Sequence, residues 1–428
     1  MFWTARFYYW SVTSEAPFAD MRGYEDIARS LYYDFRTYSD PFWRTYWPPG
    51  VPFLRAGVMA LFGPENRFAW RVFVALLSCV AASAFGREIA LRLRIRCTAP
   101  VFVAFVGLSA PSIFWSYKVS TESVAEACLY GVLACFLVSQ RTRSKASAIC
   151  LGAGGVIAML CRPNLAIGVA VLWATFVGIS IRRGEGSRVF ALVLTVIVCW
   201  APWVTRNYVF YQRIVPLTTQ APFSFLSNVN GSQLRLEDGR TVLLDLDELQ
   251  HAAPSLHAND AEASRAAASL VRSWLRQHPA DYANELVQRL WHAVESFDIR
   301  MTKVPRRPLI ACAGSQWLNA AWIDKSPRFL LAGCVGWVLA GALASPLFWV
   351  LLCAVIGSCG AALCFVGLPR MIEPMVPVLT FGVVSGAFAL VSRVAHARAR
   401  FGGRSSSHAS DRGYANSRDF PARRPGAT

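Results

Sequence analysis

Residues 329–369 read FLLAGCVGWVLAGALASPLFWVLLCAVIGSCGAALCFVGLP, without one charged side chain. At the rise of an α-helix, about 20 apolar residues cross the hydrocarbon layer of a membrane. This stretch is therefore long enough for two spans, broken near Ser345-Pro346. The same absence of charge recurs over 98–117, 163–181, 189–205 and 374–392. A water-soluble chain of 428 residues divides into domains with polar surfaces, whereas here 54% of the residues are hydrophobic and fall into long runs. Buried core helices seldom run so far without charge. The expected fold class is an all-α polytopic membrane bundle with about nine full transmembrane helices, near 68–90, 99–117, 122–139, 146–162, 165–182, 188–204, 329–345, 347–367 and 374–392.

The net charge of +17 is unevenly placed. Alternate connections and the tail gather 18 Lys or Arg, among them Arg87, Arg92, Arg141, Arg143, Arg183 and Arg188, with only the acids Glu88, Glu185, Asp411 and Asp419. Basic residues beside span ends stay cytoplasmic. The C-terminus is thus expected inside a bacterial inner membrane, with 1–67 and 205–328 outside. The positive charge reads as a topology signal rather than a nucleic-acid footprint. Twelve cysteines show neither a CxxC pair nor Cys/His metal spacing, so neither a disulfide framework nor a zinc site is expected. Met1 to Trp10 carries Arg6 and is too short for a signal peptide. Nine spans leave the N-terminus outside; residues 1–12 read as the outer end of a first span that starts further upstream, the alternative being a genuine outer N-terminus.

Five regions follow: an outer first loop (1–67), spans (68–204), an outer segment (205–328), spans (329–392) and a basic, Gly/Ser/Arg/Pro-rich tail (393–428) expected to be disordered. In the outer segment Asp238-Gly239 between short apolar runs predicts a hairpin. Two amphipathic helices are predicted over 260–277 and 280–297, with Pro279 suited to the first turn of the second. They suit the membrane surface or the ends of the spans.

Charge at a membrane edge is costly unless paired, hydrated or functional. Asp20, Tyr24, Ala28 and Leu31 share one helix face. Asp20 suits a helix N-cap, and equally a carboxylate held near the surface by the helix dipole. Trp47-Pro48-Pro49-Gly50-Val51-Pro52 is stiff and extended, either a rigid entry into the membrane or a pocket wall. Glu122, Arg162, Arg206-Asn207, Arg370 and Glu373 fall on the same side. One edge arginine is usually a snorkelling anchor; three suggest forked binding of phosphate, as in a lipid headgroup. His251, His257, His278 and His292 lack ligand spacing, and no HExxH, GxSxG, Walker or Gly-rich nucleotide motif occurs.

Taken in order, the Asp20-x3-Tyr24-x3-Ala28 helix start, Pro48-Pro49-Gly50-Val51-Pro52 followed by Leu61-Phe62-Gly63, Thr121-Glu122, Cys161-Arg162-Pro163, Pro202 to Asn207, Pro216-Leu217 and Leu368-Pro369-Arg370 through Pro377 resemble the GT-C glycosyltransferase superfamily. The likeness runs from about 17 to 392, and is narrowest to the bacterial protein mannosyltransferase and lipid A aminoarabinose transferase-like family. It implies a polyprenyl-phosphate sugar donor, a glycan, lipid or protein acceptor, and Asp20 as the catalytic base. A carboxylate there can take the proton of an attacking hydroxyl, and Arg206, Arg162 or Arg370 can stabilise the departing phosphate. Tyr24, Glu122 and Asn207 complete the candidate site. The aminoarabinose branch binds a metal with an acidic residue close before its Pro-Pro pair; here Thr45, Tyr46 and Trp47 stand there, so no cofactor is assigned, a divalent metal remaining the alternative that the resemblance implies.

Two other readings stand beside this one. A transporter or flippase of lipid-linked glycans needs charges deep within its spans or helices broken at the midplane; the spans read as clean, with charge gathered at one edge, and no internal repeat is visible. A non-catalytic envelope assembly protein would keep the fold but leave Asp20 away from any pocket.

Overall fold

The structure, a computed structural model, describes residues 2–12, 20–35, 45–93, 98–108, 110–228, 233–235, 241–243, 259–295 and 326–339, with isolated positions between 350 and 394. The described chain is helical apart from one hairpin. The expected spans after 345, Arg370, Glu373 and the basic tail lie outside the described residues, those isolated positions aside.

The first half builds the bundle. Helices α1 (Phe2–Val12), α2 (Asp20–Asp34) and α3 (Gly50–Phe62) precede the long α4 (Arg67–Leu93). Then come α5 (Thr98–Leu108), α6 (Ala110–Ser116), α7 (Thr121–Thr142), α8 (Lys145–Cys161), a 3-10 turn at Pro163–Leu165, α9 (Ala166–Arg182) and α10 (Gly186–Tyr211). Helix α7 is the centre. Its Val124, Ala127, Tyr130, Leu133, Phe136 and Leu137 are all buried, and α4 and α8 flank it. Helix α8 can lie close to its neighbours because its flank is glycine: a Cβ at Gly155 would stand 2.5 Å from the Trp173 ring. Small residues at such contacts are the usual route to close helix packing in lipid.

Four helices are long and apolar enough to cross a membrane: Arg67–Leu93, Thr121–Thr142, Pro163–Arg182 and Gly186–Tyr211. The periphery gives independent support. Leu76, Val80, Ile157, Ile181, Phe190 and Ile197 are large, apolar and exposed. So continuous an apolar exterior is unfavourable in water and favourable in lipid. The chain is a multi-pass membrane protein.

Three boundaries differ from the expected spans. The stretch predicted as one span over 99–117 is two helices, α5 and α6, and Ser109 between them lies outside the described residues. Helix α10 runs to Tyr211, seven residues beyond the expected end, with Pro202 inside it. A proline removes only one helical N–H, and the next residue, Trp203, is fixed by its indole N–H, which donates to the Leu217 carbonyl at 2.8 Å. Arg206 and Asn207 therefore belong to the last turns of α10 rather than to a loop. Finally, residues 2–12 form a helix packed on α5 and α6, with Arg6 fully buried and donating to the Gly107 carbonyl at 3.1 Å.

The bundle has two unlike ends. At the basic end Glu88 accepts from Arg92 at 3.0 Å and from Arg141 at 2.7 Å. There, too, Arg188 pairs with Glu185 and donates to the Ser139 carbonyl at 2.6 Å. At the far end α2 and α3 meet through a forked buried pair, Arg55 to Glu25, with both bonds at 3.1 Å. Beyond α10 lie α11 (Ala221–Asn228), strands β1 (Gln233–Arg235) and β2 (Thr241–Leu243), α12 (Asp260–Gln277) and α13 (Pro279–Glu295), before α14 (Ser326–Leu339). The strands pair antiparallel, Leu234 opposite Val242, as the Asp238-Gly239 signal predicts. The amphipathic faces of α12 and α13 close on α11, where Phe225, Leu270 and Trp274 are buried beside Tyr282.

Candidate functional site

The far end is assembled by close approach. Trp47-Pro48-Pro49-Gly50 leads into α3, and Gly50 sits directly against the end of α8: a Cβ there would stand 2.5 Å from Cys161 Sγ and 2.6 Å from its backbone nitrogen. Only glycine fits. Tyr24, one turn into α2, is buried with Val51, Trp70, Val124 and Cys161, its ring 5.2 Å edge-on to Trp47. Asp20 begins α2; its side chain lies outside the described residues.

Glu122 occupies the first turn of α7, where a helix N-terminus favours negative charge. Arg162, directly after α8, approaches it at 3.8 Å, and both side chains are buried. Burying two charges carries a desolvation penalty that the pairing partly offsets. Glu126, one turn further along α7, is buried as well and accepts from Ser112 at 2.6 Å and from Tyr130 at 3.2 Å. This corrects the reading of the spans as clean: a short polar side chain from α6 and a tyrosine of α7 itself satisfy the carboxylate, which a count of charges along one helix does not reveal.

Arg206 is held most elaborately. Its Nη1 donates to Thr45 Oγ1 at 2.9 Å and to Asn207 Oδ1 at 2.8 Å. Its guanidinium lies 5.1 Å from the Trp203 ring and 4.7 Å from the Phe210 ring, within the range of cation–π attraction. Asn207 in turn donates through Nδ2 to the Val215 carbonyl at 2.8 Å. Together these contacts fix the orientation of the guanidinium.

Between α3, α8 and α10 opens a cavity of about 440 Å³. Pro49, Gly50, Leu54, Leu160 and Cys161 line its wall, and Phe53 and Ile157, both about half exposed, flank it on the lipid side. Arg206 is the charged residue of the lining. A mostly apolar space with one cation in its lining suits an amphiphile with an anionic head.

Of the residues singled out from sequence, the structure therefore gathers Tyr24, Glu122, Arg162, Arg206 and Asn207 at one end of the bundle. Sequence reading missed Thr45, Tyr211 and Asp260. The Thr45 N–H donates to Asp260 Oδ2 at 2.6 Å, and its hydroxyl lies 2.9 Å from the Tyr211 hydroxyl. Burial pushes the Asp260 carboxyl above its usual range, opposed by hydrogen bonds from Tyr211 and the Thr45 N–H and by the nearby Arg206 charge. In sequence, Asn259-Asp260 signals only a cap and a first-turn acid. Among the described residues, no group of three His, Cys, Asp or Glu is placed to hold a metal ion.

No family model matches the chain, and no curated protein matches it. It is similar to solved structures of ArnT from Cupriavidus metallidurans, bound to undecaprenyl phosphate and in the apo state. For the bound form the identity is 13%, over 90% of this chain and 77% of that one, with a TM-score of 0.38. For the apo form the identity is 13%, over 90% and 76%, again with a TM-score of 0.38. It is also similar to the archaeal oligosaccharyltransferase AglB from Archaeoglobus fulgidus, solved with an inhibitory peptide and a dolichol-phosphate. There the identity is 12%, over 93% of this chain and 48% of that chain, with a TM-score of 0.39.

Proposed function

We propose that this protein is an inverting glycosyltransferase that takes its sugar from a polyprenyl-phosphate-linked donor and passes it to a glycan, lipid or protein of the cell envelope. The observation that carries this reading is the apolar cavity between α3, α8 and α10 with Arg206 in its wall. The polyprenyl chain lies along the apolar lining and the phosphate meets the guanidinium, which is suited to forked contact with phosphate oxygens.

The chemistry then runs in one displacement. Asp20 takes the proton of the acceptor hydroxyl as its oxygen bonds to the anomeric carbon. The bond from that carbon to the phosphate oxygen breaks, and the electron pair leaves with the lipid phosphate. Attack opposite the leaving group inverts the anomeric centre. Arg206, with Arg162 and Arg370 as further candidates, stabilises the charge that develops on the phosphate. The far end of the bundle faces outward and the arginine-rich end faces the cytoplasm of a bacterial inner membrane, in keeping with the positive-inside rule.

The test is transfer from a polyprenyl-phosphate sugar by the full chain reconstituted in lipid, with mass spectrometry of the product. Arg206→Ala binds a polyprenyl monophosphate more weakly, and Asp20→Asn transfers about 10²–10⁴-fold more slowly. Wild-type transfer by Asp20→Asn removes the assigned base. The buried Glu126 favours a second reading, a flippase of lipid-linked glycans, since an intramembrane carboxylate marks transport paths as well as structural sites. Donor movement across the bilayer without transfer to any acceptor would select it.

A further inference from the structure

Thr45 uses every polar atom it has. Its N–H donates to Asp260 Oδ2 at 2.6 Å, its carbonyl accepts from the Thr219 N–H at 3.2 Å, and its hydroxyl accepts from Arg206 Nη1 at 2.9 Å. Both Thr45 and Asp260 are fully buried. Three parts of the chain remote in sequence from Thr45 meet at this one residue: the last turns of α10, the segment at Thr219 and the start of α12. Five residues beyond Thr45 the chain reaches Gly50, in the wall of the cavity that Arg206 also lines.

Burying a carboxylate is expensive unless hydrogen bonds answer it. A helix needing only an N-terminal cap already has one here, because Asn259 Oδ1 accepts from the Glu262 N–H at 3.0 Å. Asp260, whose carboxylate the Ala261 N–H also reaches, is therefore not needed as the cap, and its Oδ2 is turned inward onto a backbone N–H 215 residues away. The side chain that the same threonine holds is the guanidinium assigned to the phosphate.

We propose that Asp260 is a positioning residue for the lipid-phosphate site: through Thr45 it registers α12 and the Pro49–Gly50 wall against Arg206, so that the docked outer helices set the direction of the guanidinium. This rests on the reading of Arg206 as a phosphate ligand. Asp260 itself touches no substrate. Its effect appears as donor affinity rather than as the rate of the chemical step.

The experiment measures binding of a polyprenyl monophosphate to the full chain in nanodiscs, together with KM and kcat for transfer. Asp260→Ala weakens binding and raises KM by about tenfold, the scale of one hydrogen bond to a charged group, while kcat stays near wild type. Asp260→Asn, whose amide oxygen still accepts from the Thr45 N–H, binds within about twofold of wild type. Thr45→Val loses affinity as Asp260→Ala does, and Thr45→Ser recovers it. Adding Asp260→Ala to Arg206→Ala costs nothing further, because both act through one guanidinium. Wild-type affinity in Asp260→Ala, equal loss in Asp260→Asn and Asp260→Ala, or losses that multiply with Arg206→Ala each overturn the proposal. If Asp260→Ala does not fold, the Asp260→Asn and Thr45→Val comparisons decide alone. Wild-type affinity in Arg206→Ala would instead overturn the phosphate reading itself, a separate outcome.

Discussion

Both ends of the bundle hold buried arginine–carboxylate pairs, Arg55 with Glu25 and Arg162 with Glu122 at the far end, and they differ in what a further arginine borders. At the basic end arginines close on carboxylates and helix carbonyls: Glu88 takes Arg92 and Arg141, and Arg188 takes Glu185 and the Ser139 carbonyl. These contacts tie the ends of α4, α7 and α10 together. At the far end the bonds described for Arg206 go to uncharged oxygens, Thr45 Oγ1 and Asn207 Oδ1, and the guanidinium also lines an apolar cavity. The difference is one of placement rather than composition. Arg141 and Arg188 close on groups of the fold itself; Arg206, besides its bonds within the fold, also borders an apolar cavity.

Asp20→Asn tests that contrast most severely. Loss of a general base lowers transfer by about 10²–10⁴-fold, whereas Glu88→Gln at the basic end leaves kcat within a few-fold of wild type; equal damage from both would erase the distinction. Next in size is the buried pair at the far end. Glu25→Ala leaves Arg55 without its forked partner and lowers stability by about 3–5 kcal/mol, read as thermal unfolding in detergent. Arg206→Ala removes one charge-assisted contact and weakens polyprenyl monophosphate binding by about 1.5–3 kcal/mol, while Arg141→Ala does not change it. Gly50→Ala forces a methyl against Cys161 and costs about 1–3 kcal/mol of stability, with donor binding impaired because Gly50 also walls the cavity.

The smallest effect concerns pH. The carboxyl of Asp260 is raised in the folded protein, so the native state holds its proton more tightly than the unfolded chain does. Its contribution to stability is thus present below the ordinary aspartate value of about 3.9 and is lost as pH rises through the raised value. In Asp260→Asn that slope disappears, and the pH dependence of the unfolding midpoint against wild type reads it directly. No change of slope would assign the raised carboxyl elsewhere.

Much of this was legible beforehand because it is local. Lack of charge over a helix length marked α9 and most of α10, and a 3.6-residue period marked α12 and α13 nearly to their ends. Proline and glycine flagged the Pro48–Gly50 segment, but the extended backbone expected through Pro52 gives way at Gly50 to helix α3, because proline also suits a helix's first turn. Other features escaped for equally physical reasons. The run of α10 through Pro202 depends on a tryptophan N–H reaching a carbonyl 14 residues later. Glu126 was passed over because its partner Ser112 stands on another helix.

From its own letters the chain determines that it crosses a membrane, since the transfer free energy of apolar side chains is additive along a helix and needs no partner. Clustering basic residues at alternate span ends likewise follows from sequence alone. Which arginine meets a cavity, and that Thr45 joins Arg206 to Asp260, was decided only in three dimensions. Hydrogen bonds across 161 and 215 residues leave no periodicity to read; they exist because helix packing brings the donor and acceptor groups within 3 Å of each other.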